Sequence, residues 1–310
     1  MESIHVTANE GTFQIRAADL AISRAVFFTL VGEDVYPHIA EETVNWESGS
    51  GKALTSDAEI CDGLSESIRI KPVPGERQAL IIERVLTNTG GETVPISEVD
   101  FGFTEDNDDG ELLGNISEWS FFHAQNLREY CDSAPPDTEV RRRDEFIRPI
   151  FGREWLGTSE DAPWPGIVLM NTFRSRSVLV ASLGQECFFH EFELERLPDL
   201  SGLDFLSAQR VRSAETRPLE PGESLKAEPV YVEFLAHAQL ASAFEGYSQT
   251  LAATADWLVS LRNAKDELIW GSWNMKIHHD INEDLVIRNA EFVKKHFNRV
   301  KWIQIDDGYQ

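Results

Sequence analysis

Two adjacent carboxylates, Asp306 and Asp307, follow an apolar, β-branched run from Val300 to Ile305, and Gly308 comes next. The run reads as a buried strand, and the glycine as a residue able to take a positive φ and turn the chain. Two negative charges side by side at the end of a core strand repel each other. The pair makes chemical sense where it accepts hydrogen bonds from a neutral polyol such as a sugar, or holds a cation. The plainer alternative is a strand ending in a polar Asp-Gly turn.

The elements that must position the pair lie just upstream. Glu267 to Ser272 is a second short strand, followed by Trp273 and a polar loop to Asp280. Asn282 is a good helix N-cap, with Glu283 and Asp284 in the first turn and Lys294, Lys295 and His296 in the last, as the helix dipole favours. Val286, Ala290, Val293 and Phe297 fall on one face of that helix. Strand, loop, helix and strand in this order are one βα unit plus the next strand of a parallel sheet. In a (β/α)8 barrel the chemistry gathers at the carboxyl ends of strands, where Trp273 and the Asp306-Asp307 pair both fall.

Three stretches together, Trp270-Gly271-Ser272-Trp273, Asp280-Ile281-Asn282-Glu283-Asp284 and Gln304-Ile305-Asp306-Asp307-Gly308-Tyr309-Gln310, resemble the start of the catalytic barrel in α-galactosidases of glycoside hydrolase family 36. Raffinose synthases, α-N-acetylgalactosaminidases and family 27 α-galactosidases share the pattern. This chain has Ile269 where the family usually has glycine, Gly271 for its cysteine and Asn274 for its aromatic residue. The resemblance implies an α-galactoside or related oligosaccharide as ligand. It also implies that Asp306 and Asp307 hydrogen-bond galactose hydroxyls while Trp273 helps wall the subsite.

A retaining glycosidase needs a nucleophile and an acid/base carboxyl about 5–5.5 Å apart, across the anomeric centre. Consecutive residues leaving a strand project in different directions, so Asp306 and Asp307 are ill suited to be that couple. By the resemblance, the two catalytic aspartates lie on later barrel strands, and a barrel typically takes about 250 residues. The expectation is an amino-terminal portion of a glycoside hydrolase, inactive alone, with no catalytic residue of its own and no cofactor or metal. Its last helix and strand should carry an uncovered apolar face. Alternatives are a non-catalytic carbohydrate-binding β-sandwich and a raffinose-synthase-like transglycosylase.

The 310 residues are 42% hydrophobic and 10% aromatic, ample for a core. A formal charge of −25 excludes nucleic acid and anionic membrane as partners, since both need a basic patch. Cys61, Cys131 and Cys187 are far apart and suggest neither a disulfide framework nor a zinc site. The start of the sequence lacks the basic and apolar regions of a secretion signal, so a cytoplasmic setting is expected.

Residues 1–240 read as many short strands punctuated by Gly, Pro and Asn, which favours a large antiparallel β-sandwich. Within it, Ala79–Thr87 and Thr93–Phe103, joined by Asn88-Thr89-Gly90-Gly91, look like a hairpin. A helical linker spans 241–262, and 263–310 form the truncated first βαβ of the barrel. Glu105–Gly110 resembles a calcium loop, but its twelfth position is Ile116, where a bidentate Glu is required. Arg141-Arg142-Arg143 is followed by Asp144 and Glu145 and reads as a self-neutralised surface segment. His278-His279 sits in the loop at the presumed barrel mouth, and adjacent side chains diverge too much to share a metal. Trp155 and Trp164 serve either as a sugar-stacking platform or as loop-pinning core residues.

Overall fold

The computed structural model of the chain describes residues 3–9, 12–17, 20–40, 43–48, 52–75, 77–106, 119–123, 148–149, 153–158, 166–171, 173–184, 186–196, 202–211, 215–254, 268–271, 282–297 and 299–305. The chain divides into two compact units, Met1–Ala255 and Asp256–Gln310. The first unit opens with strands β1 (Ile4–Asn9), β2 (Thr12–Ala17), β3 (Leu20–Val31), β4 (Asp34–Pro37) and β5 (Val44–Glu47). Next come β6 (Leu54–Cys61), β7 (Leu64–Pro72), β8 (Ala79–Asn88), β9 (Val94–Asp106) and β10 (Trp119–His123). They are followed by β11 (Arg148–Pro149), β12 (Arg153–Thr158), β13 (Gly166–Asn171), β14 (Arg176–Ser182) and β15 (Phe188–Arg196). The unit closes with β16 (Gly202–Val211), β17 (Arg217–Leu219), β18 (Ser224–Lys226), β19 (Val230–Leu235) and helix α1 (Leu240–Thr254). The second unit holds β20 (Leu268–Gly271), helix α2 (Glu283–His296) and β21 (Val300–Gln304).

The expected sandwich is present. A ten-stranded sheet runs β12-β15-β16-β9-β3-β2-β1-β5, with β17 on β9 and β4 on β3, and a nine-stranded sheet runs β11-β10-β13-β14-β19-β8-β7-β6, with β18 on β8. Every pairing in both sheets is antiparallel. Alternation in the sequence dictates this. Leu54, Ser56, Ala58 and Ile60 of β6 turn inward and the residues between them outward, which is the period-2 pattern of a half-buried strand. Between the sheets, Phe13 meets Phe27 edge-on at 4.9 Å, Phe27 stacks on Phe101 at 5.2 Å, and Phe103 stacks on Phe205 at 4.7 Å. Each buried ring contributes about 1.5–3 kcal/mol by leaving water.

β13, β14 and β19 are buried on both faces, as their unbroken apolar runs require. Their outer face is covered by α1, which turns Ala243, Gly246, Tyr247 and Thr250 inward at helical spacing. Tyr247 Oη donates to Ser182 O at 2.8 Å. The helix in the stretch read as a linker therefore packs on the sandwich and belongs to the first unit.

The hairpin expected at Ala79–Phe103 is not one. β8 lies in the nine-stranded sheet and β9 in the ten-stranded sheet, so Asn88–Gly91 is a corner between layers. Both strands bury one face, and these faces oppose each other: Leu86 packs with Ile96 and Val99, and Leu80 and Ile82 share a core with Phe101 and Phe103. The corner is held from outside the pair. Asn88 Nδ2 donates to Glu92 O and Leu219 O, and the amides of Thr89 and Gly90 donate to Gly63 O. Gly63 has φ +75°, and a Cβ on it would stand 2.8 Å from Gly90 Cα, so both glycines are needed for the chains to touch.

In the second unit β20 and β21 pair in parallel across α2, as read from the sequence. Asn282 caps the helix, its side chain accepting from Leu285 N at 3.0 Å. The expectation that Val300–Ile305 is a buried strand is not met. Trp302, Ile303 and Ile305 are 58%, 37% and 48% exposed, because among the described residues β21 has one neighbouring strand and no covering layer on these side chains. Ile287, Phe292 and Phe297 of the helix are exposed too. Among the described residues no helix is long and apolar enough to cross a membrane.

Candidate functional site

Trp273, Asp306 and Asp307 lie outside the described residues, as do Trp164, Arg141-Arg142-Arg143, His278-His279 and residues 107–110 of the calcium-like loop. Trp155 lies in β12, whose backbone pairs with β15. The structure does describe the frame of the tail motif. Leu268 pairs with Val300, Ile269 with Trp302, Trp270 with Ile303 and Gly271 with Gln304. Gly271 and Gln304 therefore stand side by side at the carboxyl ends of two parallel strands. Two residues beyond the first comes Trp273, and two beyond the second comes Asp306.

Inside the sandwich the polar side chains form a seam. Arg84 reaches from β8 to Glu66 Oε1 at 2.7 Å and donates to Thr29 Oγ1 and Phe28 O, while its guanidinium lies 5.5 Å from the Phe27 ring centroid. Glu66 also meets His38 Nδ1 at 3.0 Å, and His38 Nε2 meets Ser56 Oγ. Burial opposes ionisation of Glu66, but Arg84 and His38 outweigh it and hold its pKa below the usual range. A second cluster sits under α1. Arg77 Nη1 donates to Glu233 Oε1 and to Ser242 O, and Tyr231 Oη donates to Glu233 Oε2. Burial raises the pKa of Glu233, partly offset by those two bonds. Every group in these two clusters has its partner within the fold, so they build the sandwich.

The outer face of the ten-stranded sheet differs. Register places Val26, Gly102, Leu206 and Glu193 in one row across β3, β9, β16 and β15. The neighbouring row runs Phe28, Asp100, Ala208 and Glu191, and Asp204 and Glu195 pair on the other side. The missing side chain at Gly102 leaves a depression. A hollow of about 260 Å³ lies there, walled by Val26, Phe28 and Leu206 and rimmed by Glu193, Glu195 and Asp204. Asp100 is 1% exposed, and its Oδ1 accepts from Gln209 N at 3.2 Å. Burial, then the nearby Glu98 charge, push its pKa up to about 8. Glu191 is 6% exposed and is also raised, first by burial. Among the described residues no set of three His, Cys, Asp or Glu is arranged to hold a metal ion.

The α-galactosidase of Lactobacillus brevis matches 98% of this chain over 40% of its own, at TM-score 0.50 and 12% identity. The fold is that of its amino-terminal β-sandwich. The family 36 α-galactosidase AgaB of Geobacillus stearothermophilus matches 99% of this chain over 39% of its own, at TM-score 0.47 and 14% identity. A second α-galactosidase of that organism, solved in complex with stachyose, matches at TM-score 0.47 and 15% identity, over 99% of this chain and 39% of its own. The chain thus spans about two fifths of the length of these α-galactosidases. No protein-family model matches the sequence, and no curated protein is similar to it.

The carboxyl-rich face was missed in the sequence reading. Its signal is there: glutamates alternate at 191, 193 and 195 with Phe192 and Leu194 between, which sends three carboxyls to one side of a strand whose other side is core. Reading β15 only as a β-rich run hid the polar half of that alternation.

Proposed function

We propose that the chain is the amino-terminal part of a retaining α-galactosidase-like glycoside hydrolase that acts on terminal α-galactosides. In this reading Asp306 and Asp307 accept hydrogen bonds from the galactose hydroxyls, and Trp273 walls the subsite. The observation that carries it is the parallel register in which Gly271 lies opposite Gln304, since the chain runs on from these two positions to Trp273 and to the aspartate pair. The sandwich fold shared with the L. brevis α-galactosidase supports the same reading. The pair binds and orients, while nucleophile and acid/base come from strands beyond residue 310.

The test is an aryl α-galactoside assay and a galactoside titration of the 310-residue chain. Binding without turnover, with the binding weakened about tenfold or more in Asp306→Ala/Asp307→Ala, is the expected result. Turnover that survives the double substitution overturns both the assigned roles and the expected inactivity. Galactoside binding that is indifferent to the substitution overturns the roles alone.

A further inference from the structure

We propose that the groove between α1 and the β7–β8 connection binds a small monocarboxylate with an apolar body. The inference goes beyond the reading of the tail and stands without it. Three observations carry it: the shape and lining of the groove, the sign of its charged residues, and a carboxylate of the chain itself resting on two of its donors.

From Gly246 onward, α1 and the end of β7 enclose a groove of about 410 Å³. That lies within the range of about 300–1,000 Å³ usual for small-molecule sites. Pro72, Val73, Pro74 and Ile81 supply an apolar wall from the sheet side. Gly246, Gln249, Thr250 and Ala253 come from one stripe of the helix, three and four residues apart. The charged side chains of the lining are Lys71 and Arg77, in a chain whose net charge is −25. An apolar body with one negative charge is the complement of such a lining.

Both cations are held in place. Arg77 Nη1 donates to Glu233 Oε1 and Ser242 O, which fixes the guanidinium, and Lys71 Nζ gives one of its three protons to Glu83 Oε1 at 2.6 Å. Glu245 then shows what the remaining donors accept. Its Oε1 takes a hydrogen bond from Gln249 Nε2 at 3.1 Å, and its Oε2 stands 3.5 Å from Arg77 Nη2. Gln249 and Arg77 both line the groove, so one carboxylate already spans an amide and a guanidinium there. The Glu245 side chain is 63% exposed, and a pair so exposed contributes little. A ligand carboxylate that displaces it also buries its body against Pro72, Val73 and Ile81, a gain from leaving water that Glu245 does not make.

The experiment titrates the 310-residue chain with benzoate, with benzyl alcohol as its neutral counterpart and with inorganic phosphate as an anion lacking an apolar body. Calorimetry and saturation-transfer NMR read binding. Saturable benzoate binding at least about tenfold tighter than that of benzyl alcohol is expected. Glu245→Gln removes the internal competitor and should tighten benzoate about two- to fivefold. Arg77→Lys keeps a cation beside Glu233 but loses the fork, and should weaken benzoate about tenfold. Ala253 is exposed, so Ala253→Phe should fill the groove and abolish binding with an unchanged unfolding midpoint. No benzoate binding, or binding indifferent to Ala253→Phe, overturns the site. Benzyl alcohol binding as tightly as benzoate, or no gain in Glu245→Gln, overturns the part given to the carboxylate. Phosphate binding as tightly as benzoate overturns the apolar body. Benzoate is repelled by the tail aspartates, so failure here leaves the tail reading untouched, and failure of the tail roles leaves this site untouched.

Discussion

Replacing Asp100 by Asn should stabilise the sandwich, by an amount that grows with pH. Asp100 is 1% exposed, and burial together with Glu98 raises its pKa to about 8, against the partial relief given by Arg84. In the unfolded chain the same carboxyl titrates near about 3.9. A group whose folded pKa is raised binds a proton on folding throughout the window between the two values. Its contribution is most favourable below about pH 4, falls steadily as pH rises, and levels off above about pH 8. At about 1.4 kcal/mol per pK unit, the cost is about 1–2 kcal/mol near pH 5, about 4 near pH 7 and about 5–6 above pH 8. Asn keeps the Oδ1 acceptor for Gln209 N but takes up no proton. Its amide N–H groups must still be desolvated, which costs about 1–3 kcal/mol. The net gain is then about 0 near pH 5 and about 2–4 kcal/mol near pH 9. Urea unfolding of both proteins near pH 5, 7 and 9, compared at equal m-values, reads the difference. A difference that does not change with pH, or an Asn variant that loses stability at alkaline pH, would mean that Asp100 is ionised in the native state and would refute the reasoning.

Three further substitutions test other parts of the fold. Arg84→Met strips Glu66 of its buried cation and should cost about 3–5 kcal/mol in urea unfolding; a loss under about 1 kcal/mol would show that His38, held by Ser56, satisfies Glu66 alone. Gly246→Ala improves helix propensity by about 1 kcal/mol. It also drives a Cβ to 2.5 Å from Glu233 Oε2 and 2.8 Å from both Arg77 Nη1 and Tyr231 Oη, so stability should fall by a net of about 1–2 kcal/mol, seen as a lower melting temperature; a rise would show that the cluster yields. Asn282→Ala removes the bond to Leu285 N and should destabilise α2 by about 0.5–2 kcal/mol, seen as faster amide exchange in its first turn and not in the sandwich.

Local signals were legible in the sequence wherever one residue's chemistry decided the outcome. The N-cap of α2 and the strand-rich reading of residues 1–240 needed no knowledge of partners. The corner at Asn88–Gly91 was not legible, because a tetrad of turn formers suits a hairpin and an inter-sheet corner equally. What decides between them is whether the two apolar faces share one layer or oppose each other across the core, and that depends on Gly63, Leu219 and Glu223, far away in sequence. The seam around Arg84 was equally hidden. An arginine between Glu83 and Val85 reads as an outward residue on a strand, and only the carboxylate of Glu66 on the next strand makes its burial affordable.

The same contrast separates the tail motif from the acidic face of the sandwich. At the tail, the chemistry was visible in the sequence, since an aspartate pair after an apolar run is compact in one dimension, and the structure adds its frame by setting Gly271 beside Gln304. On the sandwich the chemistry is spread over β3, β9, β15 and β16, whose residues come together only through the register of three strand pairings. A face of the second kind tolerates a one-residue slip badly, because a slip on any one strand turns its outward residues into the core and removes them from the row. The β16–β9 register runs unshifted from Ser207 to Arg210, and between them Gln209 N donates to the Asp100 carboxylate. A buried acid bonded to a backbone amide of β16 ties β9 to that strand, which links the pH response of Asp100 to the geometry of the face beside it.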